Sequence, residues 1–314
     1  MGSESRNRYL LKNTLIFTLG NIGSRMISFF LIPLYTNVLT TSQYGTVDLI
    51  TTISTVAGPM LTLNIAESVM RFGLDKDADK EKNTQCGSIV LLIAMIIGLV
   101  LIPICRCITE VSDYAMYVYF YVISLSASQL FLCDLRGKEL LLKYSLGNIL
   151  QTLMIAILNI TFLLVFKMET GGYLLAYIIA NFIVAIYAII AGKGYKAFSF
   201  HNIDRCKLKE MIRYSVVLIP NTFMWWIMNS SDRVMVTYMI GAAANGIYAV
   251  SYKLPTLVST LTGIFNQAWS YSAIREEGTS DETEYNNKMF KTLSAIAFMM
   301  GIGLLLLTKP FLGV

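Results

Sequence analysis

The chain has 314 residues, of which 55% are hydrophobic and only 14% charged, whereas soluble domains carry roughly 25% charged residues. Together with a positive mean hydropathy, this composition excludes an ordinary soluble enzyme or a nucleic-acid-binding protein and points to a chain dissolved mainly in lipid. The net charge of +5 says little as a total, but its distribution along the chain is informative.

A membrane span needs about 20 mostly apolar residues. Reading from the N-terminus predicts nine of them, at roughly 13–37, 45–70, 86–105, 114–133, 144–166, 172–192, 214–239, 246–271 and 291–309. A charge at mid-bilayer costs at least ~2.5–3.5 kcal/mol on insertion scales, so the charged spans stand out. The first contains Arg25 and Pro33, and the second Asp48, Glu67 and Pro59. The third to sixth hold no Asp, Glu, Lys or Arg. A basic stretch follows at 194–213, expected to lie as a solvated or amphipathic segment on anionic lipid. The seventh span carries Pro220, Asp232 and Arg233, and the eighth Lys253 and Pro255. The ninth, between its flanking lysines, is uncharged again. Pro103 and Pro310 lie near span ends.

Lysines and arginines set the orientation, because cytoplasmic loops carry their excess. With the N-terminus placed in the cytoplasm, only Arg106, Lys167 and Lys309 fall on the far side. The expectation is a multi-pass protein of a bacterial cytoplasmic membrane with a cytoplasmic N-terminus. The special helices are one and two, then seven and eight, six spans apart. A chain built from two repeated lobes gives that spacing. The fold expected is therefore an all-α membrane protein with one six-helix lobe at 1–193, a basic linker at 194–213 and the start of a second, pseudo-symmetric lobe at 214–314. Two local likenesses fit it: Asn21–Arg25 with Asn229–Arg233, and Gln43-Tyr44-Gly45 with Ala244-Asn245-Gly246.

Arg25, Arg233 and Lys253 are candidates for a cationic cavity that holds an anionic substrate. Asp48, Glu67 and Asp232 are candidates for ion coupling or for ion pairs, for instance of Asp48 or Glu67 with Arg25. Pro33, Pro59, Pro220 and Pro255 are candidate kinks, since proline removes a backbone bond that lipid cannot replace. Trp225, Trp226 and Trp269 fit either interfacial anchors or stacking platforms for sugar. The cysteines Cys86, Cys105, Cys107, Cys133 and Cys206 are scattered without a CxxC pair, and His201 is the lone histidine. No metal site and no cofactor is expected. No nucleophile, phosphate-loop or metalloprotease motif is present, so the chain is not expected to be an enzyme.

Several segments bring a family into view: Lys12-Asn13-Thr14-Leu15, Leu39-Thr40-Thr41-Ser42-Gln43-Tyr44-Gly45, RYSVVLIPNTFMWWIMNSSDRVMV at 213–236 and GAAANGIYAVSYKLP at 241–255. In these the chain resembles the polysaccharide biosynthesis flippases of the multidrug/oligosaccharidyl-lipid/polysaccharide exporter superfamily. The resemblance implies two six-helix lobes around a cavity lined by helices one, two, seven and eight. It also implies a substrate, an undecaprenyl-pyrophosphate-linked oligosaccharide turned to the outer leaflet by alternating access. Membrane lipids, glycosyltransferases and a polysaccharide polymerase would be its partners. Arginine and lysine would hold the pyrophosphate through charge-assisted bonds. Such proteins usually have more spans than nine, so the chain is expected to be a truncated form. The alternative is a multidrug or metabolite cation antiporter of the same fold.

Overall fold

The computed structural model describes residues 31–75, 78–106, 111–198 and 204–253, with helical positions beyond them at 256, 287, 290–292, 294–295, 298–299 and 301–303. Most of the first, eighth and ninth expected spans, with Arg25, Pro255 and Trp269, lies outside the described residues. By its internal contacts the chain forms two units, Met1–Ile247 and Tyr248–Val314. Everything below concerns the first unit unless stated.

All regular structure among the described residues is helical. α1 spans Ile32–Val38, α2 Thr41–Leu61 and α3 Ile65–Gly73. α4 spans Lys80–Cys105, α5 Ala115–Gly137, α6 Leu141–Ile160, α7 Glu169–Ala191 and α8 Arg205–Met239. Among the described residues, four segments are long and apolar enough to cross a membrane: α4, α5 with its leading 3-10 turn, α6 extended to Val165, and α7. The bent pair α2 and α3 makes a fifth. These match the expected spans two to six. α8 is helical where span seven is expected but is too polar to pass by composition alone. Its Asn221, Thr222, Asn229, Ser230, Ser231, Asp232 and Arg233 lower its hydropathy, and several of them face protein rather than lipid.

Local sequence explains the helix ends. Thr40 begins α2 with a capping box: its side chain accepts from the Gln43 backbone N–H, and the Gln43 side chain accepts from the Thr40 N–H. Asp204 caps α8 by accepting from the Lys207 N–H at 3.0 Å. Span two does not run straight. α2 and α3 meet at a 59° bend, after Pro59 and at Leu63 and Asn64, whose φ angles are 53° and 55°. The Leu63 N–H donates to the Met60 carbonyl and the Asn64 N–H to the Pro59 carbonyl. That bond pair is a Schellman ending, with leucine at the left-handed position that glycine usually takes.

α5 is the central helix and packs against α2, α3, α4, α6 and α7. Leu130, Phe131 and Leu135 of α5 meet Ile65 and Val69 of α3, Cys86 of α4, Val184 and Ala188 of α7 and Met211 of α8 in one buried core. Gly73 and Gly137 let α3 and α5 approach so closely that a Cβ on Gly73 would stand 2.8 Å from the Gly137 Cα. α6 presents Leu142, Leu146, Ile149, Leu153, Ile157, Ile160 and Leu164 as an exposed stripe, at the three- and four-residue spacing of one helix face. That stripe suits a lipid-facing surface.

Candidate functional site

α2 and α8 run against each other, and their seam holds a buried ion pair. Asp48 lies in the second turn of α2 and Arg233 near the far end of α8. The Arg233 guanidinium donates to Asp48 Oδ1 at 3.0 Å, with the two side chains only 16% and 7% exposed. Asp232 turns back on the chain and accepts from the Arg233 backbone N–H at 3.0 Å. Asn245, beyond the end of α8, donates through Nδ2 to the Gly45 carbonyl at 3.0 Å and reaches Asp48 Oδ2 at 3.4 Å. Two glycines let this happen. A Cβ on Gly45 would run into the Ala242 carbonyl, and a Cβ on Gly246 into the Thr41 carbonyl. The two short segments that look alike in sequence are thus in direct contact.

Further along the seam the Trp226 indole N–H donates to the Thr52 carbonyl at 2.9 Å, and Phe223 stacks on the indole with centroids 6.2 Å apart. Trp225, one residue earlier, is 59% exposed and faces outward, so the tandem tryptophans have opposite surroundings. Asn64, at the α2–α3 break, donates to Thr222 Oγ1 at 3.2 Å. Ser68 of α3 donates to the Met211 carbonyl at 2.8 Å. The seam is therefore bonded at the Asp48 end, at Thr52 and again below the break.

Between the lower bonds lies a cavity of about 750 Å³ walled by α2, α3, α5, α6 and α8. Glu67, Gln129, Asn148, Gln151 and Asn221 line it, beside Pro59. The sequence placed Asp48, Glu67, Asp232 and Arg233 on the special helices. The structure brings Asp48 and Arg233 together and sets Glu67 apart from them, in the cavity wall. Pro33 stands in the first turn of α1, and Pro220 is inside α8, which continues through it. Lys253 belongs to the second unit, where its carbonyl accepts from Thr256 Oγ1 at 2.6 Å.

The sequence reading named Asn245 only as part of a repeat-like segment and did not single out Thr52 or the carboxamides. A signal for the carboxamides existed: Gln129, Asn148 and Gln151 are polar residues inside the uncharged spans four and five. No group of three or more candidate metal ligands occurs among the described residues.

No curated protein and no solved structure matches the chain. The family described as polysaccharide biosynthesis protein matches it over residues 10–271, which takes in α1 to α8, the Asp48–Arg233 seam and the whole cavity wall. By that match the chain belongs to the polysaccharide biosynthesis protein family.

Proposed function

We propose that the protein is a flippase that turns an undecaprenyl-pyrophosphate-linked oligosaccharide to the outer leaflet of the bacterial cytoplasmic membrane by alternating access. Glycosyltransferases would build this substrate on the inner face, and a polymerase would use it on the outer face. The N-terminus is cytoplasmic in this reading. Residues 1–193 form one lobe, the basic segment 194–213 joins it to the next, and 214–314 begin the second in a nine-helix, pseudo-symmetric layout. α2 then belongs to the first lobe and α8 to the second, with the Asp48 end of their seam outside.

The observation that carries the proposal is the buried Asp48–Arg233 pair, a charge contact joining the two helices at one end. Such a pair is a poor source of stability, because desolvation offsets most of the attraction. It is well suited to a contact that must open. A pyrophosphate offers Arg233 a stronger, bidentate partner than one carboxylate oxygen, so substrate arriving at the seam competes with Asp48 and loosens the outer closure. Arg25 and Lys253 would add charge along the path. Asp48 and Asp232 would then be available to take up a coupling ion. Pro33, Pro59, Pro220 and Pro255 would let the helices bend as the lobes rock.

The test is flipping of a fluorescent lipid-linked oligosaccharide by the protein in proteoliposomes. Arg233→Ala and Asp48→Ala should each slow flipping at least tenfold, and the exchanged pair Asp48→Arg with Arg233→Asp should recover part of the loss. Wild-type rates in Arg25→Ala, Arg233→Ala, Lys253→Ala and the triple variant would sink the cationic path.

A further inference from the structure

The cavity between α2, α3, α5, α6 and α8 is chemically unlike the seam. Its volume, about 750 Å³, lies within the roughly 300–1,000 Å³ of ordinary small-molecule sites. Among the described residues, no Lys, Arg or His lines it. Its polar groups are five carboxamides (Asn64, Gln129, Asn148, Gln151, Asn221), the hydroxyls of Ser128, Thr222, Tyr144 and Tyr214, and one carboxylate, Glu67. Two of the carboxamides are engaged: Asn64 bonds Thr222, and Gln151 donates to Asn181 Oδ1 at 2.7 Å. The side chains of Glu67, Gln129, Asn148 and Asn221 form no hydrogen bond or ion pair among the described residues. Gln129 and Asn221 are also exposed, and both line the cavity. Polar side chains inside membrane helices are costly and mark functional positions. Here four such side chains, one each from α3, α5, α6 and α8, converge on a single cavity with bonding capacity that the described protein groups do not use.

The wall also specifies the ligand. A carboxamide offers two N–H donors and an acceptor oxygen, which complement hydroxyls that both donate and accept. The Glu67 carboxylate only accepts, so it favours hydroxyl or N–H groups and repels phosphate and carboxylate. We infer that this cavity binds the uncharged, hydroxyl-rich saccharide of the substrate, with Gln129, Asn148 and Asn221 reading its hydroxyls and Glu67 excluding acidic sugars. The inference rests on the flippase reading for the substrate's identity, but the wall's preference for neutral polyols stands on its own chemistry. It divides recognition in two: cations for the pyrophosphate at the seam, and carboxamides for the sugar below it.

The experiment is a thermal-shift titration of the purified protein with neutral di- and trisaccharides, a uronic-acid-containing disaccharide, inorganic pyrophosphate and sodium chloride. At least one neutral saccharide should raise the midpoint, while the acidic disaccharide should not. Gln129→Leu and Asn221→Leu should each weaken the neutral saccharide about tenfold, the equivalent of one or two lost hydrogen bonds. Glu67→Gln should keep neutral binding and admit the acidic sugar. The inference is overturned if no neutral saccharide shifts the midpoint, if sodium or pyrophosphate alone accounts for the shift, or if both leucine variants, folded by circular dichroism, bind as wild type. Flipping in proteoliposomes separates the two readings. Saccharide binding without flipping would defeat the flippase proposal and leave the site. Flipping with unchanged sugar preference in the variants would do the reverse.

Discussion

At the scale of single residues, the seam depends on two atoms that are missing. Gly45 and Gly246 lack the Cβ that would strike a backbone carbonyl on the opposite segment, and backbone cannot swing aside as a side chain can. Gly246→Ala should therefore prop the Asp48 end of the seam open while leaving each helix intact. The measurement is disulfide trapping between Thr41→Cys and Ala242→Cys, which should form less readily in the alanine background. Unchanged trapping would show the approach to be looser than it looks. A second residue-scale case is Asp134, 4% exposed, bonded to Lys138 at 2.6 Å and to Thr84 at 2.5 Å. Lys138 also donates to the Gly192 carbonyl at 2.9 Å, tying α5 to the end of α7. Lys138→Met leaves a buried carboxylate unpaired and should cost about 3–5 kcal/mol, whereas adding Asp134→Leu should return most of it. Resistance to unfolding by SDS in mixed micelles distinguishes the two variants. The sequence marked Asp48 and Arg233 as costly but not as partners, because they are far apart in the chain and only the packing of α2 on α8 joins them.

At the scale of elements, the uncharged spans were legible from hydropathy alone, and α4 to α7 appear close to where the apolar runs predicted them. The break in span two was not legible. A helix ending normally announces itself by glycine, and here the left-handed positions are Leu63 and Asn64. α5 ends the same way. Its Leu140 N–H donates to the Leu135 carbonyl and its Glu139 N–H to the Arg136 carbonyl, with Glu139 at φ 61°. A side chain there carries a left-handed penalty of roughly 1–2 kcal/mol. Glu139 is exposed, so Glu139→Gly removes the strain without emptying a core. Its expected effect is a gain of about 1 kcal/mol, offset in part by the greater freedom of unfolded glycine, read as a higher SDS midpoint. No gain would mean that the Glu139 side chain has a use of its own in this turn. The charged run at 80–85, which hydropathy assigned to a loop, is the first turn of α4; helix propensity persists where apolarity stops.

At the scale of the molecule, the lipid-facing stripe of α6 and the alternation of turns fix which ends share a face. The turn holding Glu139 and the turn holding Lys167 lie at opposite ends of α6. If the positive residues do face the cytoplasm, a cysteine at Lys167 should react with a membrane-impermeant maleimide on intact cells. One at Glu139 should react only after permeabilisation. The opposite labelling would invert the orientation and place the Asp48 closure inside. The candidate site was half legible at this scale: charge cost and proline singled out helices two and seven, which form the seam. The carboxamide lining of the cavity was hidden because carboxamides cost less to insert than charges and do not stand out in a charge count.

α8 has 35 residues and passes through Pro220 without a break. At 1.5 Å per residue it is about 52 Å long, well beyond the ~30 Å hydrocarbon layer. One rod therefore carries Asn221 in the cavity wall and Arg233 in the closure. A tilt of about 10° around its midpoint moves Arg233 by roughly 3 Å, enough to part a contact that is 3.0 Å long at rest. If the protein works as proposed, this helix is a lever: a small rotation of it is delivered, without relay through other side chains, as separation of Arg233 from Asp48.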